Sequence, residues 1–237
     1  LINRPSKSML DRLVSQKTKL QVYFTLNFIV ALMAWFISWR ALLFFSFYIF
    51  LIWFYSHKLK KIVFIGNLSA ALLAVWPFFA ILLYYYQPTS IEELERHKDH
   101  FAVIIAHASF LFLLILIREL IKDLENLKGD LANNYHTIPV FYGENWSKRI
   151  STVLTILTLV PVYILIELYD VGYMDIYFYS SLIVLLFFLL LLWQSNNKTH
   201  YIRLHNILKF LIVAGVFCIV LINPSVLWHG KNWLLKQ

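Results

Sequence analysis

Seven long apolar stretches run along the chain, at roughly 20–39, 41–56, 62–86, 100–117, 150–168, 176–193 and 207–222, and short polar segments separate them. Each is close to the about 17–25 residues that a helix needs to cross a bilayer. None shows the alternating polarity of a barrel strand. Lipid offers backbone amides no partner, so each stretch must satisfy its own hydrogen bonds. The pattern therefore predicts an all-α polytopic membrane protein with about seven transmembrane helices, forming a single domain over residues 1–237. The stretch at 41–56 is short and parted from the first only by a tight turn near Arg40.

Basic residues test that short stretch. With seven spans, the segments 1–19, 57–61, 118–149 and 194–209 fall on one face and hold 16 of the 21 Lys and Arg residues; Arg40, Arg96, Lys98, Lys231 and Lys236 fall on the other. Removing the second span would scramble this asymmetry. Basic loops stay in the cytoplasm, so the expectation is an integral protein of the cell (inner) membrane. Its 118–149 loop is cytoplasmic and its C-terminus lies on the opposite side.

Composition agrees. Hydrophobic residues make up 60% of the chain, against about 45–50% in soluble domains, and the mean hydropathy is +0.68. The net charge of +8 is spread over short inter-span segments rather than gathered on the polar face of a nucleic-acid binder, so no nucleic-acid partner is expected. The lone cysteine, Cys218, excludes an intrachain disulfide or a cysteine metal cluster. The chain begins with Leu1 in a polar basic stretch without a signal-peptide pattern, which reads as an N-terminal truncation. Glu92, Glu93, Glu95, Arg96, Lys98 and Asp99 read as a solvated outer loop. Trp39, Tyr84 to Tyr86, Trp193 and Trp228 read as an aromatic belt. His107, Glu167, Asp170, Asp175, His200 and His205 read as structural or interfacial.

Chemistry concentrates between Leu116 and Gly143, in LIRELIKDLENLKGDLANNYHTIPVFYG. If the fourth helix continues past its span, Glu119, Asp123, Asn126 and Asp130 fall within an arc of about 60°. Carboxylates at close quarters repel, and ionised groups in a membrane protein are costly. A divalent cation would compensate them, and oxygen ligands without His or Cys favour Mg²⁺, which bridges carboxylates to substrate phosphates. Arg118, Lys122 and Lys128 would then pair with phosphate oxygens. The alternative is a plain amphipathic loop helix, although the like charges of Glu119 and Asp123 at i,i+4 would weaken it.

The same residues carry a resemblance. Arg118-Glu119, Lys122-Asp123, Glu125, Gly129-Asp130, Thr137-Ile138-Pro139-Val140 and Tyr142-Gly143 resemble the second aspartate-rich motif of the UbiA superfamily of intramembrane prenyltransferases. Their order and spacing are similar to the variant in archaeal-type enzymes that prenylate geranylgeranylglyceryl phosphate, in which an Asp usually stands at the place of Asn126. Tyr55 to Lys61, followed by Gly66-Asn67, resembles the family's Tyr-containing basic loop. Read alone, the lysines are topology anchors and Asn67 a helix-packing residue. Ile2-Asn3-Arg4-Pro5-Ser6-Lys7 resembles the segment that follows the family's first aspartate motif, so the seven spans would be the last seven of nine.

The resemblance implies Mg²⁺-dependent prenyl transfer from a polyprenyl diphosphate to a lipophilic acceptor. In that reading Asp123 and Asp130 hold metal with Asn126 as a third ligand. Arg4, Lys7, Lys60, Asn67, Arg118 and Lys122 bind substrate, and Tyr55 stabilises an allylic cation with its ring. The isoprenoid tail would lie between helices, in a chamber open to membrane lipids. Without the first motif this stretch alone is expected to be inactive and the complete protein active. Other acceptors in the family are an aromatic quinone precursor or a porphyrin or chlorin. A transporter or scaffold would satisfy the hydropathy equally, but transporters place charged groups near the midplane.

Overall fold

A computed structural model describes residues 14–85, 98–169 and 171–218. The order along the chain is α1 (Gln16–Ile37), α2 (Trp39–His57), a 3₁₀ turn (Leu59–Lys61), α3 (Ile65–Tyr85), α4 (Lys98–Ala132), α5 (Ile138–Tyr142), α6 (Glu144–Leu157), α7 (Leu159–Tyr163), a π turn (Ile164–Leu168), α8 (Met174–Gln194) and α9 (Lys198–Cys218). There is no strand among the described residues. Six segments are long and apolar enough to cross a membrane, Gln16–Ile37, Trp39–His57, Phe101–Ala132, Glu144–Leu168, Met174–Gln194 and Lys198–Cys218, joined by the shorter apolar Ile65–Ala80. Every predicted span thus has a helix, the short second one included. Ser38 explains how two helices meet with so little chain between them. It ends α1 by donating its N–H to Ala34 O and starts α2 by accepting the Ala41 N–H on its hydroxyl, which satisfies helix-end groups on both sides.

Three helices outrun their predicted spans, α6 by starting at Glu144 instead of 150. Hydropathy ends the fourth span at 117, yet α4 continues to Ala132 and its 35 residues extend about 52 Å at 1.5 Å per residue. That exceeds the roughly 30 Å hydrocarbon core, so the polar end of α4 stands clear of it. α9 begins at Lys198 because the polar stretch before its apolar half is helical too. The fifth span is broken: Pro161 lacks the N–H of a continuing helix, and the chain passes through α7 into the π turn.

The core surrounds α4. Phe110, Leu114, Ile117 and Ile121 of α4 are fully buried against Val162, Leu165, Phe178, Phe188, Leu204 and Leu208 of the later helices. On its other side Ala108, Leu111, Ile115 and Leu116 meet Ala71 and Val75 of α3. Lipid is as apolar as leucine, so close packing, not transfer from water, drives this association, and small residues such as Ala71 and Ala108 let the backbones approach. α1 buries only Ala34 and α2 buries no residue. The ends of α2, α4 and α8 and the starts of α3, α6 and α9 share one end of the bundle, where side chains link Asn67 to Asp123, Lys148 to Ser195 and Tyr201 to Glu144.

Candidate active site

That shared end gathers the chemistry. The uninterrupted helix of α4 places Glu119, Asp123, Asn126 and Asp130 along one face, as the 3.6-residue repeat requires. Asn67, in the first turn of α3, donates from Nδ2 to Oδ2 of Asp123 at 2.8 Å. The bond is between residues fifty-six positions apart and joins two of the segments that sequence reasoning singled out separately.

The basic loop reaches the same place by a tight fold. The 3₁₀ turn Leu59–Lys61 is followed by Phe64 in the left-handed region at φ 63°, an uncommon conformation for an aromatic residue. Gly66 donates its N–H to Ile62 O. A Cβ there would stand 3.1 Å from Lys60 O and 3.3 Å from Leu59 O, so glycine is what lets the loop lie against the start of α3. Lys60 and Lys122 act electrostatically on the Asp130 carboxylate. The half-buried Tyr55 of α2 lies in the field of Glu119 and Asp123. Two helices, α2 and α3, and one loop therefore border the acidic face of α4.

Glu119 is 6% exposed and is ion-paired to both cations that flank it, with Arg118 Nη2 on Oε1 and Lys122 Nζ on Oε2. Both cations keep further N–H donors, and their side chains are 30% and 37% exposed. Lys128 departs from expectation. It is exposed and sits about 180° around the helix from Glu119, turned away from the acidic face. Arg4 and Lys7 lie outside the described residues.

A metal can be tested against this donor set. Asp123, Asn126 and Asp130 offer oxygen alone, which suits a hard cation such as Mg²⁺. Among the described residues no three His, Cys, Asp or Glu side chains group to hold a metal by themselves, so a cation here would need oxygens from an amide or a ligand. Mg²⁺ characteristically completes its shell with water and substrate phosphates, so the residues fit that use. The open depression lined by Tyr142, Gly143, Glu144, Asn145, Trp146 and Arg149 shares no residue with the cluster.

Sequence reasoning missed one partnership. Glu125 stands in the motif without an assigned role and His205 reads as merely structural, yet His205 Nδ1 lies 2.7 Å from Glu125 Oε2, with both side chains about nine-tenths or more buried. The only available signal was a histidine in the polar lead-in to the last span.

Comparison with known proteins bears on the same residues. The model of the UbiA prenyltransferase family matches residues 2–212. A digeranylgeranylglyceryl phosphate synthase of Pyrococcus furiosus is 27% identical over 177 residues, covering 74% of this chain and 59% of the relative. One from Thermococcus sibiricus is 28% identical over 160 residues, 67% of this chain and 52% of the relative. A third, from Methanopyrus kandleri, is 46% identical over 55 residues, 22% of this chain and 20% of the relative. The chain thus spans little more than half the length of the first two relatives. No solved structure matches it.

Proposed function

The chain belongs to the UbiA prenyltransferase family, and on that premise we propose that the complete protein transfers a prenyl group from a polyprenyl diphosphate to geranylgeranylglyceryl phosphate, a lipophilic acceptor of ether-lipid synthesis. The Asn67–Asp123 hydrogen bond carries this reading. It gathers the basic loop and the acidic helix face, two segments distant in sequence, into one polar site at the end of an apolar bundle. The similarity to digeranylgeranylglyceryl phosphate synthases supports the acceptor.

The reaction breaks the allylic C–O bond of the donor. Diphosphate leaves with the electron pair, and a hydroxyl oxygen of the acceptor captures the allylic cation and releases its proton. Charge therefore grows on diphosphate and on carbon together, and fixed groups that meet it there lower the barrier. Lys60, Arg118 and Lys122 pair with the diphosphate oxygens, Arg4 and Lys7 adding to them, and Asn67 keeps Asp123 oriented. The Tyr55 ring faces the cation. Mg²⁺ held by Asp123, Asn126 and Asp130 would supply Lewis-acid stabilisation of the leaving diphosphate. The prenyl tail occupies the lipid-facing space between helices, and the site opens to the cytoplasmic side, where most of the basic residues lie.

The test uses membranes bearing the complete protein and follows diphosphate release from geranylgeranyl diphosphate. Release that requires Mg²⁺ and depends on geranylgeranylglyceryl phosphate supports the reading. Release with an aromatic acceptor instead overturns the acceptor, and no release with any acceptor overturns the activity.

A further inference from the structure

α4 is apolar nearly all round over its buried length, and apolar packing alone tolerates rotation of a helix about its axis. Its polar extension nevertheless has to present one face, that of Asp123 and Asp130, to α3 and the basic loop. Two directional bonds hold it. The first is Asn67–Asp123 from α3. The second is His205–Glu125 from α9, and Glu125 lies about 200° around the helix from Asp123. Bonds on nearly opposite sides of one helix cannot both survive its rotation.

We propose that His205 is a positioning residue for the acidic face of α4: through Glu125 it fixes the rotational setting in which Asp123, Asn126 and Asp130 face the phosphate-binding side. The inference rests on the proposed function of that face. A buried polar pair is a weak source of stability, and leucine at both positions would pack as well, so the best-attested use of such a pair is to specify register.

His205 is itself braced. One turn earlier on α9, Tyr201 donates its hydroxyl to Glu144 Oε2 at 2.9 Å and lies 3.2 Å from the Ser195 carbonyl. The buried Lys148 donates to that carbonyl and to Asn196 Oδ1, with the Tyr201 ring 5.9 Å away. α6, the α8–α9 turn and the start of α9 thus form one unit from which His205 reaches α4. Arg118 of α4 and Lys209 of α9 also lie within electrostatic range of His205.

The test reads binding apart from catalysis, with Mg²⁺ and inorganic pyrophosphate as the probe and the melting temperature of the detergent-solubilised complete protein as the signal. His205→Ala is expected to need at least about tenfold more Mg²⁺ for the same upward shift, the scale of losing an outer-layer partner, with the shift read from the variant's own ligand-free melting temperature, which falls because Glu125 is left buried without its partner. His205→Asn, whose Nδ2 stands where the imidazole Nδ1 does and can still donate to Glu125, is expected to recover most of the difference. Should His205→Ala not fold, His205→Phe keeps a ring without a donor and takes its place. An unchanged Mg²⁺ requirement in His205→Ala or His205→Phe, or no shift by the probe in wild type, overturns the proposal. If the binding results hold while prenyl transfer fails, the proposed activity falls and the positioning role stands.

Discussion

At the residue scale the Asp123 carboxylate is the most constrained group of the site. It accepts from Asn67 and lies in the fields of Asp130, Lys122 and Glu119, so its charge is coupled to three other ionisable members of the site. Asp123→Asn keeps the shape and removes the charge; prenyl transfer by the complete protein is expected to fall at least about 100-fold, the scale of losing one preorganised electrostatic group. Asn126 gives a prediction of opposite sign. An amide oxygen is a weaker ligand for a hard cation than a carboxylate, so Asn126→Asp is expected to lower the Mg²⁺ concentration for half-maximal activity several-fold, measured by titrating the same diphosphate-release assay. The acidic face and the Asn67 position were legible in the residues, because a helical repeat and a short motif are local properties. The double pairing of Glu119 was not: like charges at Glu119 and Asp123 suggested repulsion, whereas Arg118 and Lys122 neutralise Glu119 from its own helix.

At the element scale, contact between α8 and α9 depends on Gly215. A Cβ there would stand 2.5 Å from the Tyr177 hydroxyl, which donates to Leu211 O at 3.0 Å. Gly215→Ala must displace the Tyr177 ring from that carbonyl. It is expected to cost about 1–3 kcal/mol, the usual penalty of overfilling a packed interior, read as a lower melting temperature in detergent. Gly215→Ala should leave the Mg²⁺ requirement of the remaining folded protein unchanged, because Gly215 lies near the end of α9 far from His205. The existence of the spanning helices was readable, since hydrophobic length alone sets it. Helix ends were not. The polar extension of α4 and the polar start of α9 pack on each other, with His205 against Glu125, a contact across eighty positions that no local window contains.

At the scale of the whole molecule, the shared end of the bundle holds the candidate site and its basic loops, and the proposed topology places it in the cytoplasm. In a Cys218→Ser background, cysteines at Lys58 and Lys128, both exposed, are expected to react with a membrane-impermeant maleimide only after the cells are opened; labelling of intact cells would reverse the orientation. Membrane character, helix number, the bias of charge and the acidic motif follow from the chain alone, because each depends on composition or on neighbours within a few turns. Which helices enclose α4, which carboxylate each cation neutralises, and how Tyr55, Lys60, Asn67 and His205 come to surround one polar helix end are matters of tertiary packing. Those pairings join residues tens of positions apart, and they are selected only when the apolar faces of several helices close around α4 and leave its polar extension a single set of partners.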